Sequence, residues 1–206
     1  MDPMARIQIS ELYRVAVADP SKGKTHKDSS QSRSAIVVLG QDQLEREFVL
    51  HAFSEQVQTS RFIEEIVKTF RAWRPRAFGV DVTGPQQPFY DALQMETRRR
   101  GLRIPFVPIT FRGEKEHRIE DTLEPSLSDG RLFVHPDMKN LHEEGNDFPV
   151  GFLDALDCLA AAKRMLPRRQ TTHGKIAERE REIEMLKRQG TPFGQILERV
   201  AAKYGK

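Results

Sequence analysis

The chain has 206 residues, of which 38% are hydrophobic and 31% charged, and a net charge of +3. That length suits one domain with a real core and room for a small appendage. The single cysteine, Cys158, excludes an internal disulfide, no apolar run approaches the roughly 18 residues of a membrane span, and Met-Asp-Pro-Met-Ala-Arg at the start lacks the apolar core of a signal peptide. The expectation is a soluble intracellular protein, neither secreted nor partnered with a membrane.

The charge is unevenly spread. Residues 168–206 carry ten Lys or Arg against five Glu, while residues 1–167 carry 23 basic against 25 acidic. Basic clusters in the body are local: Lys22, Lys24 and Lys27; Arg71, Arg74 and Arg76; Arg98, Arg99, Arg100 and Arg103. Such clusters serve as solvated faces or as phosphate contacts.

Tyr13 to Asp19 reads as a buried strand that ends in a carboxylate. A polar loop, residues 20–33, leads to a second strand, Ser34 to Leu39, then a turn at Gly40-Gln-Asp42 and a third strand, Glu47 to Phe53. With no helix between them, these three strands predict an antiparallel meander. From Ser60 the apolar period becomes helical through Phe62, Ile63, Ile66, Val67, Phe70 and Trp73, with Thr59 or Ser60 as N-cap and Pro75 as the stop. A fourth strand follows, Ala77 to Val82. A right-handed crossover would lay it parallel to the first, placing Asp19 and Asp81 at one sheet edge.

Phe89 to Arg100 predicts a second helix, and Ile104 to Ile109, interrupted by Pro105 and Pro108, an edge strand. Lys115 to Leu123 predicts a charged helix, Arg131 to His135 a strand, and Met138 to Glu144 a short polar helix. A helix over Phe152 to Met165 has an apolar stripe of Leu153, Leu156, Leu159 and Ala160. Asp154 and Asp157 stand three apart on one side of its first turns. Cys158 reads as packing, and His135 as structural. The domain is expected to end near residue 167. Residues 168–206 then form a charged helical tail with apolar seams at Ile176, Ile183 and Leu186 and at Phe193, Ile196, Leu197, Val200 and Tyr204.

Taken singly, Asp19-Pro20 fits a turn start, and Asp154 and Asp157 fit the acidic bias of a helix N-terminus. Taken together, Asp19, Asp81 and Asp154 make an oxygen-rich pocket for hard divalent cations. Two Mg²⁺ or Mn²⁺ ions acting on a phosphodiester bring about four positive charges into one site, which calls for three or more carboxylates. Asp19, Asp81 and Asp154 are the candidate catalytic metal ligands, with Asp19 bridging, and Asp157 joins them or orients a water ligand.

The element order, with acids on the first and fourth strands and a late helix, resembles the ribonuclease H-like fold. More specifically, the chain resembles the C-terminal nuclease domain of the large terminase subunit of tailed bacteriophages. The matching segments are Ala18-Asp19-Pro20 through Asp28 to Ser34-Ala-Ile-Val-Val, Val80-Asp81-Val-Thr83-Gly84 with Tyr90-Asp91-Ala-Leu93, Lys115-Glu-His-Arg118-Ile119, Leu123-Glu-Pro125, Gly130 to Phe133, Phe148 to Gly151, and Asp154 to Asp157. They span about residues 12 to 166. The family often has paired acids before its last helix; Leu153 takes the first place here, so the ligand falls at Asp154. No counterpart of the family's packaging ATPase is expected within these residues, as in an excised domain or one half of a split motor. Gly23-Lys24-Thr25 mimics the end of a phosphate-binding loop, but Ala18 stands where its leading glycine belongs, so no ATP site is expected.

The resemblance implies an α/β, ribonuclease H-like mixed sheet flanked by helices, with a helical C-terminal appendage. It implies a two-metal endonuclease that cuts double-stranded DNA during packaging in the host cytoplasm. Lys24, Lys27, Lys115 and Arg118 are the candidate DNA contacts, and the packaging ATPase domain, the small terminase subunit and the portal are the implied partners. Two other readings share these residues: a Holliday-junction resolvase or transposase-like nuclease, and an inactive docking module.

Overall fold

A computed structural model describes residues 8–21, 33–167, 185–186 and 188–189. Six strands form one mixed sheet: β1 (Tyr13–Asp19), β2 (Ser34–Gln41), β3 (Glu47–Glu55), β4 (Ala77–Asp81), β5 (Phe106–Ile109) and β6 (Leu132–Val134), in the order β5-β4-β1-β2-β3-β6. The first three strands are antiparallel neighbours, as the short connections predict. β4 runs parallel to β1, in register from Val15↔Ala77 to Ala18↔Val80. β5 and β6 close the two edges in parallel with β4 and β3. The edge position of β5 accommodates Pro108, which has no N–H to give a further neighbour.

Helices cover both faces. Alternation along β1 and β2 sends Ala16, Ala18, Ile36 and Val38 to one side, where Phe62, Ile63, Ile66 and Phe70 of α1 (Thr59–Trp73) and Tyr90 and Leu93 of α2 (Gln87–Arg99) meet them. Val15, Val17, Ala35 and Val37 point to the other side. There they pack on α3 (Lys115–Ser128), α4 (Lys139–Asp147) and α5 (Asp154–Met165), through residues such as Ile119, Leu141 and Leu159. The architecture is the α/β mixed sheet flanked by helices that the sequence predicts.

Differences lie at the element ends. α1 starts at Thr59 behind Gln58, which makes no side-chain cap, and ends on Arg74 in a left-handed conformation (φ 46°) just before Pro75. β2 runs on to Gln41 where a turn was expected, because the chain stays paired with β3 as far as Glu47. α3 continues past Leu123, through Pro125, to Ser128. Its last turn is kept by buried Ser126, whose Oγ accepts a hydrogen bond from Lys163 Nζ of α5. Among the described residues no helix is long and apolar enough to cross a membrane. The expected tail helices lie outside the described residues, apart from positions 185–186 and 188–189.

Candidate metal centre

The period of two in a strand decides where the acids go. Val15 and Val17 face α5, so Asp19, two further on, belongs to the same face. On β4, Phe78 and Val80 face α1 and α2, which leaves Gly79 and Asp81 toward α5. A Cβ built on Gly79 would lie 2.7 Å from Met165 Sδ of α5, so two residues before Asp81 the strand leaves no room for a side chain against that helix. Since β1 and β4 are parallel and register ends at Ala18↔Val80, Asp19 and Asp81 follow at the same C-terminal strand ends.

α5 supplies the other two acids from its first turn. Cys158 is fully buried, and its Sγ lies 3.6 Å from the carbonyl oxygen of Ala35, the residue paired with Asp19. Burial among carboxylates raises the Cys158 thiol well above its ordinary range, so packing is its role here. Asp154 and Asp157 are thereby seated over the ends of β1 and β2. Asp81, Asp154 and Asp157 are 3%, 6% and 2% exposed, whereas Asp19 is half-buried. Burial first, then the charges of Asp81 and Asp154, push the Asp19 carboxyl up to about 8.

Each of the other three acids has a partner. Asp81 Oδ1 accepts hydrogen bonds from the backbone N–H of Thr83 (2.9 Å) and from the Thr83 hydroxyl, which in turn accepts from Phe111 N (2.9 Å). Asp154 Oδ1 receives Lys115 Nζ at 2.7 Å, and its Oδ2 the backbone N–H of Arg33 at 2.9 Å. Asp157 is gripped at both oxygens by Arg118, Nε to Oδ1 at 3.0 Å and Nη2 to Oδ2 at 2.6 Å. Burial alone would lower Lys115, but the charge and hydrogen bond of Asp154, with Asp157 and Asp19 beyond it, outweigh this and raise it. The hydrogen bonds to Asp157 likewise raise Arg118.

The structure therefore brings Asp19, Asp81, Asp154 and Asp157 to one end of the sheet, on one face. Lys115 and Arg118 are among these acids rather than on an outer surface: Arg118 is buried, and Lys115 keeps about a third of its side chain in solvent. Lys24 and Lys27 lie outside the described residues. Among the described residues no group of three or more His, Cys, Asp or Glu side chains is gathered tightly enough to hold an ion as it stands. Lys115 and Arg118 each hold a carboxylate that a cation would otherwise collect. The set of four carboxylates, with no sulfur or imidazole, has the all-oxygen chemistry that hard divalent cations take.

Sequence reasoning passed over Glu144. This residue of α4 is buried, yet its Oε2 accepts the N–H groups of Ala155 (2.8 Å) and Leu156 (3.0 Å), and its Oε1 accepts the Ser54 hydroxyl (2.8 Å). Burial raises its carboxyl, with the three hydrogen bonds pulling the other way. The only hint in the sequence was negative: Leu153, the residue before α5, cannot cap it.

No family model and no curated protein matches the sequence. Solved structures do match. The large terminase nuclease from thermophilic phage G20c with bound magnesium aligns at a TM-score of 0.55 and 16% identity, over 75% of this chain and 82% of that one. The HK97 bacteriophage large terminase aligns at 0.55 and 13% identity over 74% of this chain, which spans only 39% of the HK97 protein's length. A mutant nuclease domain of the large terminase subunit of bacterial virus Sf6, solved with manganese and beta-thujaplicinol, aligns at 0.50 and 9% identity, over 75% and 89%. The chain thus has the ribonuclease H-like fold found in phage large terminase nucleases.

Proposed function

We propose that this chain is a metal-dependent DNA endonuclease, the nuclease domain of a phage packaging terminase. The observation that carries the proposal is the meeting of Asp19, Asp81, Asp154 and Asp157 at the C-terminal ends of β1 and β4, on the face covered by α5. Proteins of the same fold have been solved with magnesium and with manganese.

In this reading Asp19, Asp81 and Asp154 hold two Mg²⁺ or Mn²⁺ ions, and Asp157, three residues on in the same turn of α5, supports them. The bound ions supply activation of the attacking water and stabilisation of the leaving oxygen. Asp19, which feels the charges of both Asp81 and Asp154, would be the acid shared between the two ions. Thr83 fixes the Asp81 carboxylate, so that one oxygen is committed and the other is free to bind. Lys115, paired with Asp154 and about a third exposed, would be available to a DNA phosphate if a cation took its place on that carboxylate. Arg118, buried on Asp157 and donating also to Gly113 O at 2.8 Å, orients α3 against α5. Duplex DNA is the substrate of this reading, and the packaging ATPase domain, small subunit and portal are its partners.

The test is cleavage of supercoiled plasmid with Mn²⁺, Mg²⁺ or EDTA by wild type and Asp81→Ala. Metal-dependent nicking and linearisation that vanish in the variant are expected. A folded wild type that leaves linear and supercoiled duplex intact but cuts a four-way junction would move the assignment to a resolvase. One that cuts neither in either ion would remove the enzyme reading.

A further inference from the structure

We infer that Glu144 is a positioning residue for the candidate metal centre, setting the first turn of α5 and through it Asp154 and Asp157. The inference rests on the metal-nuclease reading above and adds a residue to it.

The first turn of a helix has N–H groups with no partner inside the helix, and a side chain at the N-cap normally meets one of them. In α5 the N-cap is Leu153, which has no polar side chain. The cap comes instead from α4, eleven residues before Ala155: one carboxylate oxygen of Glu144 accepts the N–H groups of both Ala155 and Leu156. These two residues sit directly between Asp154 and Asp157 in sequence. A shift or rotation of the turn they form moves both acids together.

Glu144 is itself fixed from the sheet side. Its second oxygen accepts the Ser54 hydroxyl of β3, and Asn140, one turn earlier on α4, donates to the Ser54 carbonyl at 3.1 Å. The chain of contacts therefore runs from β3 through α4 to the backbone of α5. A buried carboxylate is costly for packing alone, and an uncharged cap would satisfy the same N–H groups. The hydrogen bonds of Glu144 go to Ser54 and to the backbone of Ala155 and Leu156 and to none of the four aspartates' carboxylates, so it holds α5 through the backbone, with the charge of Asp154 near enough to raise its carboxyl further.

The experiment is calorimetric titration of Mn²⁺ into the full chain, for wild type, Glu144→Ala, Glu144→Gln and Glu144→Asp, with folding checked by circular dichroism and melting temperature. Glu144→Ala is expected to bind Mn²⁺ about 10- to 100-fold more weakly, the usual cost of losing a group that orients metal ligands. Glu144→Gln keeps an acceptor oxygen for Ala155 and Leu156 and recovers most of that loss. Glu144→Asp, a methylene too short, falls in between. In plasmid cleavage, Glu144→Ala regains rate at raised Mn²⁺, since its ligands are present but displaced. Glu144→Ala that folds and binds Mn²⁺ like wild type overturns the positioning role alone. If Glu144→Ala does not fold, Glu144→Asp decides the matter: weakened binding upholds the role, and wild-type binding ends it. A wild type that binds no Mn²⁺ overturns the metal reading itself, a different failure.

Discussion

Lys115 Nζ lies 2.7 Å from Asp154 Oδ1, joining the first turn of α3 to the first turn of α5. With Arg118 on Asp157, it supplies positive charge that the gathered carboxylates need without a metal. Removing one partner of a fully buried pair costs about 3–5 kcal/mol. Lys115 is 31% exposed, so Lys115→Met is expected to destabilise the metal-free protein by less, about 1–3 kcal/mol. Bound Mn²⁺ should restore most of that loss, because the ion takes over the neutralising role. Urea unfolding in EDTA and in Mn²⁺ checks this: an equal deficit in both means that Lys115 and the ion do not share a site.

Asp19 carries the opposite sign of prediction. Its carboxyl is pushed up to about 8 by burial and by Asp81 and Asp154, so its charged form is unwelcome in the metal-free fold. Asp19→Asn should raise the stability of the metal-free protein by about 1–2 kcal/mol, while removing metal-dependent cleavage, as when a site is strained for function. Thermal melts in EDTA, paired with the plasmid assay, read both effects. A less stable Asp19→Asn would mean that the carboxylate is held for packing.

Much of this arrangement was legible in the chain, and the boundary of legibility has a physical cause. Alternation in Val15-Ala-Val-Ala-Asp19, with a helix between the third and fourth strands, was enough to set Asp19 beside Asp81, because strand period and crossover hand are local rules. The i, i+3 spacing put Asp154 and Asp157 on one side of a helix for the same reason. What the sequence does not show is which cation meets which acid. Lys115 and Arg118 read as a charged face for DNA, yet 39 residues separate each from its aspartate, and only packing of α3 on α5 turns them inward. Glu144 was invisible because its cap is made from another helix, and a cap in trans leaves no spacing to recognise. The charged helix read as far as Leu123 runs on through Pro125 to Ser128, where Ser126 meets Lys163 of α5, a contact across 37 residues that local spacing does not show.

His51 gives the pH dependence of the fold away from the acids. It sits on β3 with its ring 6.5 Å from that of Trp73, and burial lowers its pKa, with Glu65 opposing in part. The unfolded chain then binds a proton more readily than the native one. Stability from this group is present above the ordinary histidine value, about 6.5, and is lost as pH falls through the depressed native value. Denaturant midpoints from pH 8 to pH 5 should therefore fall more steeply for wild type than for His51→Gln. Parallel curves would show that His51 titrates alike in both states.

Thr83 is the last link that can be cut cleanly. Its backbone N–H and hydroxyl both donate to Asp81 Oδ1, and its hydroxyl accepts Phe111 N, so one side chain ties the end of β4 to the segment after β5. Thr83→Val keeps the shape and the backbone bond but loses both hydroxyl bonds. It is expected to cost about 1–3 kcal/mol of stability, two hydrogen bonds at a net of about 0.5–1.5 kcal/mol each. The larger effect should be on the site: an Asp81 free to rotate binds Mn²⁺ about tenfold more weakly, the low end for loss of a ligand-orienting group. Thr83→Ser retains the hydroxyl and should bind nearly as wild type does. If Val and Ser variants bind Mn²⁺ equally, the orientation of Asp81 comes from the strand alone, and the Thr-Gly that follows it serves the turn rather than the carboxylate.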